Sequence, residues 1–362
     1  MTDTDPTAPA RTRPPRLLAE RLCAWRQDPR VAAVLRQSGL AWALLVLCVI
    51  GAFSAPAFLQ SGNLINVGRE AALIGIVGIG LTFVILTAGI DLSVGSIVGV
   101  VAVVSGELLK SGTSIPLVLL AGAALGAAIG AINGLGIVRG HVPAFVMTLA
   151  TLTACRGIAM SVSQGQPVTL GSAAEDFMWL GNGDLLGVPN PVWVFVALLA
   201  LAAVILRHSP YGRYLYAVGD NPEAARLAGI NTSLILFSVY VVSGVLAAIT
   251  ALTYVSRLTT GDPGLGAGLE LQAITIVVIG GTSLFGGEGG VSGTLLGAVF
   301  IATLANLLNL LGVSPFTQQI VQGGVLALAV LLDQLQRRGR RRRRARSGEV
   351  MAGQQSVGGA PD

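Results

Sequence analysis

AALIGIVGIGLTFVILTA, residues Ala71–Ala88, is an apolar run without a single charged side chain. A helix that crosses a bilayer needs about 20 predominantly apolar residues, so this stretch has the length and composition of a membrane span. The whole chain agrees, because 53% of its 362 residues are hydrophobic and only 11% are charged. Soluble domains carry about 25% charged residues. The composition therefore predicts a polytopic membrane protein.

Nine further segments share this apolar character, and together the ten predict an all-α integral membrane bundle of about ten transmembrane helices. They are Leu40–Phe58, Val94–Leu109, Ile115–Ile137, Val142–Val162, Val192–Leu206, Ser233–Val255, Leu271–Leu284, Val291–Leu311 and Thr317–Leu332. Several are short or interrupted by glycine, so their boundaries are set only to within a few residues.

The arginines predict the orientation. With the N-terminus in the cytoplasm, segments 1–39, 138–141, 207–232 and 333–362 hold 19 of the 23 Lys and Arg residues. Cytoplasmic loops carry an excess of positive charge, and ten spans with both termini cytoplasmic satisfy that bias. We therefore expect a disordered cytoplasmic tail over 1–39, a transmembrane domain over 40–332 in the cell membrane, and a basic cytoplasmic tail over 333–362.

The second tail contains a dense basic run, QRRGRRRRRARSGEV (Gln336–Val350). Such a run can bind nucleic acid, but beside the last span an anchor to anionic lipids is the better interpretation. Membrane lipids, and not nucleic acid, are its predicted partner.

Several kinds of chemistry lack their sequence motifs. Lys110 is the only lysine, so the phosphate-binding motif G-x-x-x-x-G-K-[ST] occurs nowhere. The hydrolase and metalloprotease motifs G-x-S-x-G and H-E-x-x-H are absent, the three cysteines form no C-x-x-C pair, and two histidines are too few for a histidine-based metal site. We predict no catalytic residue, cofactor or metal, and hence not an enzyme.

One polar stretch stands out in the longest cytoplasmic loop: YAVGDNPEAARLAGI, residues Tyr216–Ile230. Asp220 or Asn221 can cap a helix whose first residue is Pro222, and Gly229 can end it after about two turns. A free-standing helix this short is marginal in water, which favours docking on another protein. An ordinary capped loop helix is the alternative.

The same stretch resembles the cytoplasmic coupling helix of permease subunits in ATP-binding-cassette importers, in the monosaccharide branch that includes the ribose permease. That family carries Y-A-x-G-x-N-x-E-A-A-R-x-x-G-I here. TAGIDLSVGS (Thr87–Ser96) is similar to its G-G-I-D-L-S-V-G-S, with Ala for the first Gly. Its P-A-F-x-x-T-L…R-G and V-I-G-G-T-S-L-x-G-G-x-G segments resemble Val142–Val168 and Ala273–Ala298. The matches cover most of residues 60–332, in order and at compatible spacing.

This resemblance implies the permease subunit of an importer that moves a monosaccharide, driven by ATP hydrolysis in a separate ATPase subunit. It implies further partners: an extracytoplasmic sugar-binding protein, facing the acidic loop Ser163–Pro191, and a second permease copy in a homodimer or heterodimer. The residues that it assigns to ATPase coupling are Gly219, Asn221, Pro222, Glu223, Ala224, Ala225, Arg226 and Gly229.

Other functions stay open at this point. A secondary transporter or channel driven by an ion gradient would need no ATPase, but usually has more buried acidic residues. An integral-membrane enzyme would need a His/Asp or Cys/His constellation, which is missing. Among importers, nucleoside and branched-chain amino-acid permeases are the nearest alternatives to a sugar permease.

Asp91, Ser93 and Ser96 are candidates for the translocation path or its gate. Gly89 and Gly95 flank Asp91 and weaken a continuous helix there, and broken backbone at membrane depth must be satisfied by protein or by a water-filled cavity. Asp91 can instead be the N-cap of the third span, with no substrate contact.

Arg156 is the fourth candidate, because it falls within the fifth span. An arginine at a helix centre is costly in lipid, so its side chain should face the bundle interior. Glu107 is a candidate partner. A structural ion pair and a role in the path are both open, and toward a neutral sugar Arg156 would act as a hydrogen-bond donor.

Closely spaced glycines predict a tight turn, and two similar segments elsewhere indicate a duplication. The segment 280–290, GGTSLFGGEGG, resembles a phosphate loop but lacks the lysine, so we predict a turn between the eighth and ninth spans. Asn133–Leu149 and Asn306–Val321 share an Asn, a spacer and a Pro, which favours an inverted internal repeat. The predicted structural glycines are Gly89, Gly95, Gly280, Gly281, Gly286 and Gly287.

Overall fold

The computed structural model of the protein describes residues 29–171, 174–331 and 334. Most of the predicted N-terminal tail lies outside these residues, and so does the predicted basic tail except for residue 334. Within them the chain is mostly helical, in agreement with the predicted fold class.

The helices are α1 (Pro29–Ser54), α2 (Ser61–Leu86), α3 (Val94–Lys110), α4 (Ile115–Val138), α5 (Ala144–Val162), α6 (Ala174–Phe177), α7 (Trp179–Asn182), α8 (Asn190–His208), α9 (Pro210–Asp220), α10 (Pro222–Leu227), α11 (Thr232–Leu258), α12 (Leu269–Ile279), α13 (Val291–Leu310) and α14 (Pro315–Leu331). The described part of the chain also has four two-residue strands, β1 (Val168–Thr169), β2 (Asp184–Leu185), β3 (Val188–Pro189) and β4 (Thr260–Gly261).

The strands form two small antiparallel pairs and modify the all-α prediction only locally. β2 and β3 make a hairpin in which Asp184 is opposite Pro189. β1 pairs with β4, so that Val168 is opposite Gly261. This second pair ties the segment after α5 to the segment after α11.

Helix α2 lies at the centre of the bundle. Its residues from Ala71 to Leu86 are buried on every side, and it packs against α8, α11, α12 and α13. A helix that is apolar all round belongs inside a large core. The stretch from Ala71 to Thr87 is therefore surrounded by protein, whereas Ala88 is exposed.

Among the described residues, six helices are long and apolar enough to cross a membrane by length and composition: α2, α4, α5, α8, α11 and α13. Shorter apolar helices are Gly39–Ser54, Leu269–Ile279 and Pro315–Leu331. Each of the ten predicted segments contains a helix, but the number of crossings stays a prediction. The segment Leu271–Leu284 was predicted too long, because α12 ends at Ile279 and Gly281 has a φ of 93°.

Glycines let helices approach to backbone contact at two crossings. Where α4 crosses α11, a Cβ on Gly126 would overlap the carbonyl oxygen of Gly244, and one on Gly130 would overlap that of Tyr240. Where α13 crosses α12, a Cβ on Gly293 would overlap the carbonyl of Gly280. This is the packing for which Gly-x-x-x-Gly spacing is suited.

Candidate functional site

The predicted coupling segment, Tyr216–Ile230, folds as the end of α9 followed by α10. Asn221 is the N-cap of α10, since its Oδ1 accepts hydrogen bonds from the backbone N–H of Glu223 at 3.1 Å and of Ala224 at 3.0 Å. Pro222 occupies the first helical position, where its missing N–H is not needed. The sequence did not predict α9, which begins where the Ser209 hydroxyl accepts from Gly212 N–H.

The C-terminus of α10 ends as the sequence predicts. Gly229 has a φ of 83°, and the N–H of Ile230 donates back to the carbonyl of Ala225 at 3.0 Å. A glycine in the left-handed conformation with such a bond is a common helix stop. Ala225 is buried, whereas the other coupling residues from Asn221 to Gly229 are exposed.

The exposed face of α10 carries an ion pair. The Arg226 guanidinium donates to Glu223 Oε1 at 2.7 Å, and both side chains are 67% exposed. Leu227 next to them is 79% exposed. The face thus offers both signs of charge and an apolar side chain to solvent, which is a surface suited to a protein partner.

The end of α9 is joined to the end of α2 and to the predicted glycine turn. A Cβ on Gly219 would overlap the carbonyl oxygen of Leu86, and the N–H of Gly287 donates to the same oxygen at 3.0 Å. The Tyr216 hydroxyl donates to the Gly289 carbonyl at 2.8 Å. Burial raises the pKa of the Tyr216 phenol, so it remains protonated and keeps this bond. We call the contacts of Gly219 and Tyr216 with Leu86, Gly287 and Gly289 the glycine junction.

Asp91 is the centre of a buried polar network. Its Oδ1 accepts from the backbone N–H of Ser93 at 2.9 Å and from the Ser93 hydroxyl at 2.6 Å. Its Oδ2 accepts from the hydroxyl of Ser243, on α11, at 2.8 Å. The N-cap of α3 is Ser93 and not Asp91; Asp91 lies two residues earlier, accepts from the Ser93 N–H and links that turn to α11.

The network continues into α4 and α5. The Asn133 side-chain amide donates to the Ser93 hydroxyl at 2.9 Å, and its carbonyl accepts from the Thr151 hydroxyl at 2.6 Å. Ser96 donates to the Ser93 carbonyl at 2.8 Å. The sequence singled out Asp91 and its serines, but their partners on α4, α5 and α11 were not predicted. In the sequence each of these partners is only an isolated polar residue within an apolar span.

Asp91, Ser93 and Ser96 are fully buried, each with 0% exposure. In this conformation they are enclosed within one copy of the chain and do not line an open path. The structure brings these three together.

The predicted structural glycines occupy tight places. Near the network, a Cβ on Gly89 would lie 2.6 Å from the Tyr240 hydroxyl, and one on Gly95 would overlap the Gly266 carbonyl. In the turn 280–290, positive φ angles occur at Gly281, Gly286, Gly287 and Gly289. The turn is closed by Ser283 N–H donating to the Glu288 carbonyl at 2.9 Å.

Arg156 lies apart from the polar network. Its Nη1 donates to the carbonyl oxygens of Pro263 at 2.7 Å and Leu265 at 3.1 Å, in the segment between β4 and α12. It faces the protein, as predicted. Glu107 is not its partner: the Glu107 carboxylate lies 3.9 Å from Lys110 Nζ.

The described residues contain no group of three or more His, Cys, Asp or Glu side chains that could hold a metal ion. The polar groups described above bind one another and the backbone. Their arrangement can position helices and transmit movement between them.

Comparison with known proteins now assigns a family. The family model described as "Branched-chain amino acid transport system / permease component" matches residues 63–330. The ribose import permease protein of Escherichia coli (strain K12) is 43% identical over 293 residues, which are 80% of this chain and 91% of that protein. The ribose import permease protein of Bacillus subtilis (strain 168) is 40% identical over 300 residues, 83% of this chain and 93% of its own length.

A third relative is named for a different sugar. The L-arabinose ABC transporter permease protein of Azospirillum brasilense is 35% identical over 308 residues, covering 85% of this chain and 90% of that protein. The comparison with solved structures found no match. The family match spans α2 to α14, and with it the polar network, the glycine junction and α10. The chain therefore belongs to the permease-component family of the branched-chain amino acid transport systems, as a multi-pass membrane permease and not an enzyme.

Proposed function

We propose that the chain is the transmembrane subunit of an ATP-driven importer and that it translocates a monosaccharide. The observation that carries this proposal is α10, a capped helix that exposes the Glu223–Arg226 ion pair and Leu227 in a chain without a phosphate-binding motif. The names of the ribose and L-arabinose relatives support the substrate class.

The ATPase subunit docks on α10 in this proposal. When it closes, α10 moves with α9, and the glycine junction carries the movement to α2 because Gly219 and Gly287 both contact the Leu86 carbonyl. Leu86 is five residues before Asp91, so the movement reaches the polar network directly. Asp91, Ser93 and Ser96 then act at the gate by holding α3, α4 and α11 together, and not as substrate contacts.

Two permease copies, identical or related, complete the proposed assembly. A sugar-binding protein docks from outside on the acidic loop Ser163–Pro191, where Glu175, Asp176 and Asp184 lie without a Lys or Arg. The basic run Gln336–Val350, outside the described residues, binds anionic lipid.

Ten spans with both termini cytoplasmic and an inverted repeat are the proposed topology. Helices α2 to α5 and helices α11 to α14 follow the same order, in which a long helix precedes a shorter one and two more. In each set a non-glycine residue with a positive φ follows the first helix, Ala88 after α2 and Thr259 after α11. The packing is reciprocal, because α11 packs on α4 and α2 packs on α13. These correspondences favour the duplication.

Transport in proteoliposomes tests the proposal. The permease is co-reconstituted with its ATPase, the binding protein is added outside, and labelled D-ribose, L-arabinose and L-leucine are offered. We expect ATP-dependent accumulation of a sugar that disappears without the ATPase. Accumulation of leucine instead would support the branched-chain amino-acid permease that the family description suggests, and accumulation driven by an ion gradient alone would contradict the importer proposal.

A further inference from the structure

A cavity of about 360 Å³ lies between α12 and α14. Its volume is within the range of about 300–1,000 Å³ typical of small-molecule sites. Its polar lining consists of Gln272 and Thr275 on α12 and of Gln319 and Gln322 on α14. The polar network and α10 contribute nothing to this cavity.

Two of the amides are already oriented by each other. Gln272 Nε2 donates to Gln322 Oε1 at 3.0 Å. Each amide has both acceptor and donor groups, so the Gln272 carbonyl and the Gln322 amino group remain for a third molecule. The Thr275 hydroxyl donates to the Leu271 carbonyl at 2.6 Å, which leaves its oxygen as an acceptor.

The lining chemistry selects a class of ligand. The residues lining the cavity in the described chain are uncharged, so an ionic ligand would find no counter-charge there. Polar side chains in apolar spans are costly unless they face protein or a water-filled cavity. Amides and a hydroxyl beside the apolar side chains of Leu271, Ile301 and Leu326 suit a neutral polyol, whose hydroxyls both donate and accept.

The amides of the cavity lie near the beginnings of the two helices. Gln272 is in the first turn of α12, and Gln319 and Gln322 are in the first two turns of α14. On the proposed topology both helices begin at the extracytoplasmic side. Arg156 fixes the segment that leads into α12 by binding the carbonyls of Pro263 and Leu265.

The cavity is open on one side of a single copy. Gln319 is exposed, and the large apolar side chains on the same helix include Phe316 at 78% and Ile320 at 74% exposure. An exposed amide at this depth needs a cover of protein or water. A second permease copy against this face of α14 supplies the cover and encloses the cavity between the two subunits.

We propose that this cavity is a contact site for the transported sugar on its way through the permease, with Gln272, Gln319 and Gln322 hydrogen-bonding its hydroxyls. The inference rests on the proposed importer function and adds the residues that touch substrate. Arg156 is then a positioning residue for Gln272.

The test compares three variants of the complete transporter, Gln272→Leu, Gln319→Ala and Gln318→Ala. Gln318 is the matched control, because it lies on the same helix but donates to the Val313 carbonyl at 2.9 Å and does not line the cavity. Uptake of D-ribose, L-arabinose and their single-deoxy analogues is measured, with binding-protein-stimulated ATP hydrolysis in the same vesicles.

We expect Gln272→Leu and Gln319→Ala each to lower uptake by about fivefold, the effect of one lost hydrogen bond, while ATP hydrolysis continues. The rate ratio between a sugar and one of its deoxy analogues should fall toward one, which a purely structural role would not cause. Gln319 is exposed, so its variant is expected to fold.

Unchanged uptake and ratios in a working transporter would overturn this inference alone, and so would equal losses in the Gln318→Ala control. Failure of the wild-type complex to accumulate any of a panel of labelled monosaccharides would overturn the proposed function and, with it, this inference.

Discussion

Asp91 shows how a single buried carboxylate can hold several helices. A buried polar group is tolerated when hydrogen bonds replace its hydration, and the Asp91 carboxyl group receives three, two of them from Ser93 and one from Ser243. The sequence predicted the local part, because Asp91 and Ser93 are two residues apart. It could not predict Ser243, which is 152 residues away along the chain.

Replacing Asp91 tests this interpretation. We expect Asp91→Ala to lower the free energy of unfolding by about 3 kcal/mol, because it leaves buried donors without an acceptor. Asp91→Asn should lose less, since its amide carbonyl still accepts and the Ser243 hydroxyl can rotate. Detergent-solubilised protein titrated with denaturant gives both values.

A control for Asp91 is Asp262→Ala. Asp262 also accepts from a backbone N–H two residues on, Gly264, at 2.7 Å, but it is only partly buried. Asp262→Ala should lower the free energy of unfolding by less than Asp91→Ala does. Equal stability of the Asp91→Ala variant and the wild type would contradict the role given to the network.

Gly219 provides a second test at a single position. Gly219→Ala places a methyl group against the Leu86 carbonyl, and relieving that overlap must separate α9 from α2. We expect a destabilisation of about 2 kcal/mol or more, read from thermal unfolding. Gly62→Ala is the matched control, because nothing lies within 4 Å of a Cβ there; unfolding of both variants at the same temperature would count against the glycine junction.

Among the elements, α10 was the most predictable and α9 the least. The bounds of α10 follow from its own residues, the Asn221 cap and the Gly229 stop. Helix α9 has a start signal, the Ser209 N-cap followed by Pro210, but the mixed polar and apolar residues after it do not show that a helix continues to Asp220. It folds because Leu215 and Val218 are buried against the bundle, a tertiary effect that overrides weak local propensity.

The exposed ion pair of α10 separates folding from coupling. We expect the double variant Glu223→Ala/Arg226→Ala to change the free energy of unfolding by no more than about 0.5 kcal/mol, as is usual for exposed pairs. The same variant should hydrolyse ATP without moving sugar, or fail to bind the ATPase. Both activities are measured in the reconstituted complex.

The pair Glu107–Lys110 gives the control, because it is also an exposed pair spaced by three residues and the proposed topology puts it on the opposite side of the membrane. Glu107→Ala/Lys110→Ala should leave coupling intact. Normal uptake and ATPase binding in the α10 variant would refute the coupling role.

At the scale of the whole molecule, composition established the membrane class but not the burial of individual spans. Hydropathy treats α2 and α4 alike, yet 89% of the apolar window of α2 is buried in the protein and only 28% of that of α4. The difference arises from packing, because α2 is surrounded by α8, α11, α12 and α13, whereas α4 packs mainly against α11 alone. A pattern summed along the chain does not contain that information.

Cysteine accessibility tests the proposed topology. In a background whose native cysteines are replaced by serine, Ser111→Cys and Asp184→Cys should react with a membrane-impermeant thiol reagent in intact cells. His141→Cys and Leu227→Cys should react only after permeabilisation, because the proposal puts them in the cytoplasm. All four side chains are exposed, so a failure to react reports sidedness; the reverse labelling pattern would contradict the orientation drawn from the arginines.

The closed hydrogen bonding of α10 has a practical consequence. Every backbone and side-chain bond that shapes it joins residues between 217 and 230. A segment whose helix is held by hydrogen bonds within itself can be moved into another permease of the family. Exchanging these residues between permeases of the family is expected to change which ATPase subunit a permease binds, while the transported sugar stays the same. Chimeric permeases could then make one ATPase drive the import of several different sugars.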